Sequence, residues 1–310
     1  METVRTPESR FENLEDYPFE PHYLEVEAGD GTSLRIHYVD EGRGETLLCL
    51  HGQPSWSYLY RKMIPILVDA GHRVVAPDLV GFGKSDKPIH RADYTFANHV
   101  SWITQFVEAL DLRDVTLVCQ DWGSLIGLRV VAENPDRFAR VVLSNGGLPD
   151  AKDIPAELAP KLRQLLAETP ALPAQEMREK LVAREQDRPG FMYWIRHCDA
   201  HPDFHPAEVM AMFLNHCDED ERRAWAAPFP SAETMAGARQ FPSLVPIIPD
   251  DPAIPANRAA WRVLESFEKP FLTVFGDSDP VSRHGEKRFI ESVPGAKDQA
   301  HEILRGAGHF

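Results

Sequence analysis

Short apolar runs with no polar face alternate along this chain with stretches whose apolar residues recur at helical spacing. Residues 115–121 (Val-Thr-Leu-Val-Cys-Gln-Asp) are the clearest run, expected to be a strand buried on both sides of a parallel sheet. Residues 47–50, 73–76, 139–143, 271–275 and 301–304 read as strands too, and residues 22–28 and 33–39 flank Gly29-Asp30-Gly31 as a hairpin. Helical spacing appears over residues 96–110, from Gly123 through Val130 and Val131 towards Asn134-Pro135, and near residues 283–292. A further helix is expected with Leu59, Met63, Ile66 and Leu67 on one face, while residues 144–149 read as a loop. Strands alternating with helices predict an α/β fold around a mostly parallel sheet, here of eight strands.

The rhythm breaks once. From residue 150 to 228 no strand can be read, and the composition turns to Leu, Ala, Glu and Arg with many prolines. Several short helices are expected there, inserted after the sixth strand. The chain therefore divides into a discontinuous core, residues 1–149 and 229–310, and a helical cap, residues 150–228.

Composition narrows the function. The chain has 310 residues, enough to bury roughly 75% of its unfolded surface as a large domain. A formal charge of −15 leaves no basic stripe for phosphates and argues against a nucleic-acid partner. The first twenty residues are polar and acidic without the apolar core of a signal peptide, and no apolar run nears the ~20 residues that span a bilayer. A cytoplasmic protein with no membrane contact is expected. Cys49, Cys119, Cys198 and Cys217 show no paired spacing and read as small core residues of a reducing compartment.

The chemistry gathers at the ends of the strands, where His51-Gly52-Gln53-Pro54, Asp78, Asp121 and Asn145 all fall. Asp121 stands on a tight strand-to-helix turn, in Cys119-Gln120-Asp121-Trp122-Gly123, where a nucleophile elbow usually carries serine. Asp279 follows a later strand in Gly276-Asp277-Ser278-Asp279, and His309 closes Gly306-Ala307-Gly308-His309. Singly, such an aspartate is commonly a turn or cap residue and such a histidine an ordinary hydrogen-bonded side chain. Together they stand in the order nucleophile, acid, base, which is the order of α/β-hydrolase triads.

His51 to Tyr60 (His-Gly-Gln-Pro-Ser-Trp-Ser-Tyr-Leu-Tyr), Gly81 to Pro88 (Gly-Phe-Gly-Lys-Ser-Asp-Lys-Pro), Gln120-Asp-Trp-Gly123, Ala226-Ala-Pro-Phe-Pro230 and Gly306-Ala-Gly-His-Phe310 carry a resemblance over nearly the whole chain. It resembles the haloalkane dehalogenases of the α/β-hydrolase superfamily. The resemblance implies a two-step hydrolysis without metal or organic cofactor. Asp121 would displace halide from a saturated carbon and form an alkyl ester. His309, oriented by Asp279, would activate the water that cleaves it. A serine would leave an ether that water cannot readily cleave, which explains the carboxylate. Backbone N–H groups of Gln53 and Trp122 would form the oxyanion hole, a role worth about 2.7–4 kcal/mol per donor.

A departing halide needs donors in a dry pocket, and an indole N–H supplies one beside an apolar ring. Trp122 qualifies by its place next to the nucleophile. Spacing leaves Trp194, Trp225 and Trp56 open as the second donor; the resemblance selects Trp194 in Phe191-Met-Tyr-Trp194. Phe191, Phe229, Pro230 and Leu125 are expected to line the pocket, with Leu125 standing where some relatives carry an aromatic residue. Cys119 replaces the first glycine of the elbow pattern, Gln53 stands where some relatives have glutamate, and Asp277 rivals Asp279, although the Gly-x-x-Asp spacing favours Asp279. The family's chains continue into a closing helix, whereas this sequence ends at Phe310, so the placement of His309 is expected to be sensitive to that difference.

The expected partners are a small neutral haloalkane, water and halide, acted on by a monomer. An epoxide hydrolase shares the triad but normally needs two cap tyrosines, and only Tyr193 falls in the insertion. A fluoroacetate dehalogenase would carry arginine where Trp122 stands. An esterase would need a serine nucleophile, for which Ser124 is the neighbour to test. The reading from another class is a non-catalytic binding protein on the same fold, which would commonly lack a triad member.

Overall fold

Eight strands form one sheet in the computed structural model, which describes residues 1–183 and 188–310. In chain order they are β1 (His22–Glu27), β2 (Ser33–Gly42), β3 (Thr46–Leu50), β4 (Arg73–Pro77), β5 (Val115–Asp121), β6 (Phe138–Gly146), β7 (Phe271–Gly276) and β8 (Glu302–Leu304). Their spatial order is β8-β7-β6-β5-β3-β4-β2-β1. Only β2 runs against its neighbours; every other adjacent pair is parallel. Threonine 3 and Val4 also pair with Pro88 and Lys87 in a separate two-stranded bridge that periodicity did not reveal.

Helices cover the sheet because their apolar stripes need its faces. They are α1 (Met63–Asp69), α2 (Phe96–Ala109), α3 (Trp122–Glu133) and, later, α10 (Ile254–Leu264) and α11 (Glu286–Ser292). Thr95 caps α2 by accepting from the Asn98 N–H at 3.0 Å, satisfying one of the orphan donors of its first turn. The α3 helix starts directly from β5 and is buried from Trp122 to Ala132. Its burial between sheet and α10 explains why it shows little polar face.

Between β6 and β7, after the sixth strand of the sheet, come α4 (Ala159–Glu168), α5 (Ala174–Val182), α6 (Gly190–Ala200), α7 (Pro206–Phe213), α8 (Glu219–Ala226) and the short α9 (Ala236–Gln240). Helices fill this stretch among the described residues, and α9 and α10 extend helical structure beyond where the sequence pattern indicated. Trp261 of α10 ties this region to the loop that follows β6 by donating Nε1–H to the Leu148 carbonyl at 2.7 Å.

Two local expectations are corrected. Met63 and Ile66 do not face the core; they are 42% and 68% exposed, while Ile64 is buried. The segment Ser57–Tyr60 forms a separate 3-10 turn, so the α1 face is set afresh from Met63 and not in phase with Leu59. The predicted loop at 144–149 is partly strand, because Ser144 to Gly146 still pair with their neighbours as β6.

Candidate active site

The elbow forms because the chain has almost no room beneath it. Asp121 adopts φ 49° and ψ −126°, a region that costs a non-glycine residue on the order of 1–3 kcal/mol. Glycine relieves the crowding. A Cβ on Gly123 would sit 1.9 Å from the Leu50 carbonyl oxygen, and one on Gly52 would sit 2.3 Å from Asp121 Cβ. Ser124 braces the turn from inside. Its Oγ, fully buried, donates to the Asp121 carbonyl at 2.5 Å and accepts from the Gly147 N–H at 2.8 Å. It is thus a structural brace facing backbone, not a nucleophile facing His309.

The Asp121 carboxylate has two different neighbours. Oδ1 accepts the backbone N–H of Gln53 at 2.7 Å, and Oδ2 lies 3.3 Å from His309 Nε2. The N-terminal end of α3 adds a favourable dipole for negative charge. The Trp122 N–H is the first of that helix and has no intrahelical acceptor, but it makes no hydrogen bond to the carboxylate among the described residues. Gln53 and Trp122 therefore bring two backbone donors to the elbow, only one of which is engaged.

His309 Nδ1 lies 3.0 Å from Asp279 Oδ1. Asp279 is held in turn by the Val281 N–H at 2.7 Å and by the Ser282 N–H and hydroxyl. Asp277 is elsewhere: it takes the Gly306 N–H and the Ser278 hydroxyl at the exposed surface. Burial raises the Asp279 pKa, but the charge and hydrogen bond of His309, with those from Ser282 and Val281, outweigh it and hold the group below the usual carboxylate range. Burial likewise opposes protonation of His309, yet the charges and hydrogen bonds of Asp279 and Asp121 prevail and lift its pKa to about 10.

Above the elbow lies a cavity of about 500 Å³. Asp121, His309 and Gln53 border it, as do Trp122, Trp194, Phe191 and Leu125. Two expected lining residues do not. Phe229 is buried and packs edge-on against Phe82 at 6.2 Å, and Pro230, just past it, is exposed. Lining that sequence reasoning missed comes from Val209 and Phe213, one turn apart on α7, and from Val245 and Ile247. The i, i+4 spacing of Val209 and Phe213 was the available signal; Val245 and Ile247 lie in irregular chain and offered none.

The six tryptophans separate by what their N–H groups do and by whether they border the cavity. Those of Trp56, Trp102 and Trp261 donate to the carbonyls of Ala224, Ala28 and Leu148. Trp225 is fully buried outside the cavity lining, edge-on to Tyr58. Trp122 and Trp194 alone border the cavity, and neither N–H has a protein acceptor among the described residues. None of the seven tyrosines lines the cavity.

A family model described as the alpha/beta hydrolase fold matches residues 45–310. A haloalkane dehalogenase of Psychrobacter cryohalolentis is 46% identical across all of this chain and 93% of its own length. Haloalkane dehalogenase 1 of Mycobacterium tuberculosis is 47% identical over the same shares. Among solved structures, the tetrameric haloalkane dehalogenase DpaA of Paraglaciecola agarilytica NO2 aligns with a TM-score of 0.79 and 31% identity, covering all of this chain and 93% of that one. With this sheet order, an aspartate in the elbow, and similarity of this degree from end to end, the chain belongs to the haloalkane dehalogenase family of the α/β-hydrolase fold.

Proposed function

We propose that this protein hydrolyses short haloalkanes to a primary alcohol and halide through an alkyl ester on Asp121. The observation that carries the reading is Asp121 itself, a carboxylate at the elbow with Gln53 N–H on one oxygen and His309 on the other. One oxygen of this carboxylate attacks the halogen-bearing carbon, the carbon–halogen bond breaks, and the halide leaves with the electron pair. Trp122 and Trp194 hold that halide with their indole N–H groups. Esterification then removes the charge of Asp121, and with it part of what holds a proton on His309, which the imidazole releases to solvent. The imidazole, kept in place by Asp279, takes a proton from water as the water oxygen attacks the ester carbonyl. The N–H groups of Gln53 and Trp122 receive the developing oxyanion. The imidazolium returns that proton to the departing alcohol oxygen as the acyl–oxygen bond breaks, and the Asp121 carboxyl ionises again, with one proton and one halide formed per turnover.

The segment 150–228 serves in this reading as the cap. Leu181, Phe191, Trp194, Val209 and Phe213 come from it to the cavity, keep it apolar and select neutral substrates. Trp122, where an arginine would hold a substrate carboxylate, favours neutral substrates as well. The epoxide alternative lacks tyrosines at the cavity, and all three triad positions argue against a purely binding role. No helix among the described residues is long and apolar enough to cross a membrane. We expect a cytoplasmic monomer, which sedimentation of the purified protein checks.

The test is halide release from 1,2-dibromoethane and 1-chlorobutane, followed together with acidification of a weakly buffered solution. Stoichiometric halide and proton are expected. Failure with every member of a short haloalkane panel, accompanied by turnover of styrene oxide, overturns the reading.

A further inference from the structure

Two side-chain amides grip the backbone of His309. Gln120 Nε2–H donates to the His309 carbonyl at 2.9 Å. Asn145 Nδ2–H donates to the same carbonyl at 3.1 Å and to that of Gly308 at 2.8 Å, while its Oδ1 accepts the Gly276 N–H at 2.8 Å. No other group among the described residues is hydrogen-bonded to these two carbonyls. His309 lies outside any helix or strand, so these amides substitute for a ladder.

We propose that Gln120 is a positioning residue that fixes His309 relative to Asp121, an inference that rests on the proposed function. Gln120 immediately precedes Asp121 at the end of β5, so one strand end carries the nucleophile and also holds the backbone of the base. Both Gln120 and Asn145 are buried. The amide orientation follows from its surroundings: turning it over would set Oε1 against a carbonyl oxygen, two acceptors facing each other. In the bonded orientation Oε1 is buried without a protein partner. A leucine would fill similar space without an unpaired amide oxygen, so what the position requires is the donor.

The two chemical steps depend on this contact differently. Alkylation uses Asp121, which its own strand and the Gln53 N–H hold in place. Ester hydrolysis uses His309 at a set distance, and displacement of a reacting group by ~1 Å can cost on the order of 10²-fold in rate. Losing the Gln120 donor should therefore slow hydrolysis and spare alkylation.

The experiment is rapid mixing of 1,2-dibromoethane with the wild-type protein, Gln120→Leu and Gln120→Met, reading the bromide burst, its decay and the intact mass. Methionine keeps an unbranched chain of the same length and carries the test if leucine does not fold. We expect a burst rate within about twofold of wild type, hydrolysis slowed about tenfold or more, accumulated alkyl-enzyme, and kcat and KM falling together. Unchanged hydrolysis, or an equal loss in both steps, overturns the inference. A wild-type protein that releases no bromide overturns the proposed function instead.

Discussion

His309 Nε2 lies 3.3 Å from Asp121 Oδ2, so the base we propose for the second step rests against the nucleophile we propose for the first. The contact makes the proton affinity of His309 a function of whether Asp121 is charged. Asp121→Ala should bring the His309 pKa down from about 10, because burial then opposes protonation with only Asp279 left to favour it. Titration of the imidazole ring protons by NMR reads this directly. A pKa unchanged by the substitution contradicts the proposed electrostatic link.

Halide affinity separates the tryptophans. Trp122→Phe and Trp194→Phe each remove an indole N–H that borders the cavity without a protein acceptor. A hydrogen bond to a charged partner contributes about 1.5–3 kcal/mol, so each variant should bind bromide roughly ten- to a hundredfold more weakly. Trp225→Phe, outside the cavity lining, should leave bromide binding unchanged. Fluorescence titration with bromide distinguishes the three.

Acid stability should depend on His99. This imidazole is fully buried among Tyr94, Trp102 and Phe241, neither ring nitrogen has a hydrogen-bond partner, and burial pushes its pKa down to about 3. The folded state binds this proton more weakly than the unfolded state, whose value is near 6.5. Its contribution is therefore fully present above about pH 6.5 and is lost as pH falls towards 3, at up to about 1.4 kcal/mol per pH unit. His99→Phe should flatten the fall in stability over that window when urea unfolding is measured at pH 7 and pH 5. An identical pH dependence in both proteins contradicts the assignment.

The elbow should tolerate no side chain at residue 123. Gly123→Ala sets a methyl group against the Leu50 carbonyl, which cannot rotate away because it is backbone. Overpacking of this kind costs about 1–3 kcal/mol. A lowered Tm and lost halide release are expected, and a variant as stable and active as wild type contradicts the packing argument.

The parts most legible in the sequence were those with strong local patterns. The double-sided burial of β5 follows from its Val, Leu and Cys residues, and the order of the proposed triad is visible because Asp121, Asp279 and His309 each stand just past an apolar run. Met63 and Ile66 misled because apolar spacing alone does not say which face of a short helix meets the sheet. Phe229 looked like a pocket residue, yet an aromatic ring packs equally well against Phe82 in the core. Gln120 showed no signal, since its partner is a backbone carbonyl 189 residues away, a contact that only the folded sheet creates.

The central claim is that Asp121 becomes an ester and His309 is needed to remove it. His309→Gln, incubated with 1,2-dibromoethane and analysed by intact mass and peptide mapping, tests it most directly. The account predicts one bromoethyl group per chain, located on Asp121, with one bromide released and no further turnover. A folded His309→Gln protein that carries no adduct, or turns over like wild type, would contradict it.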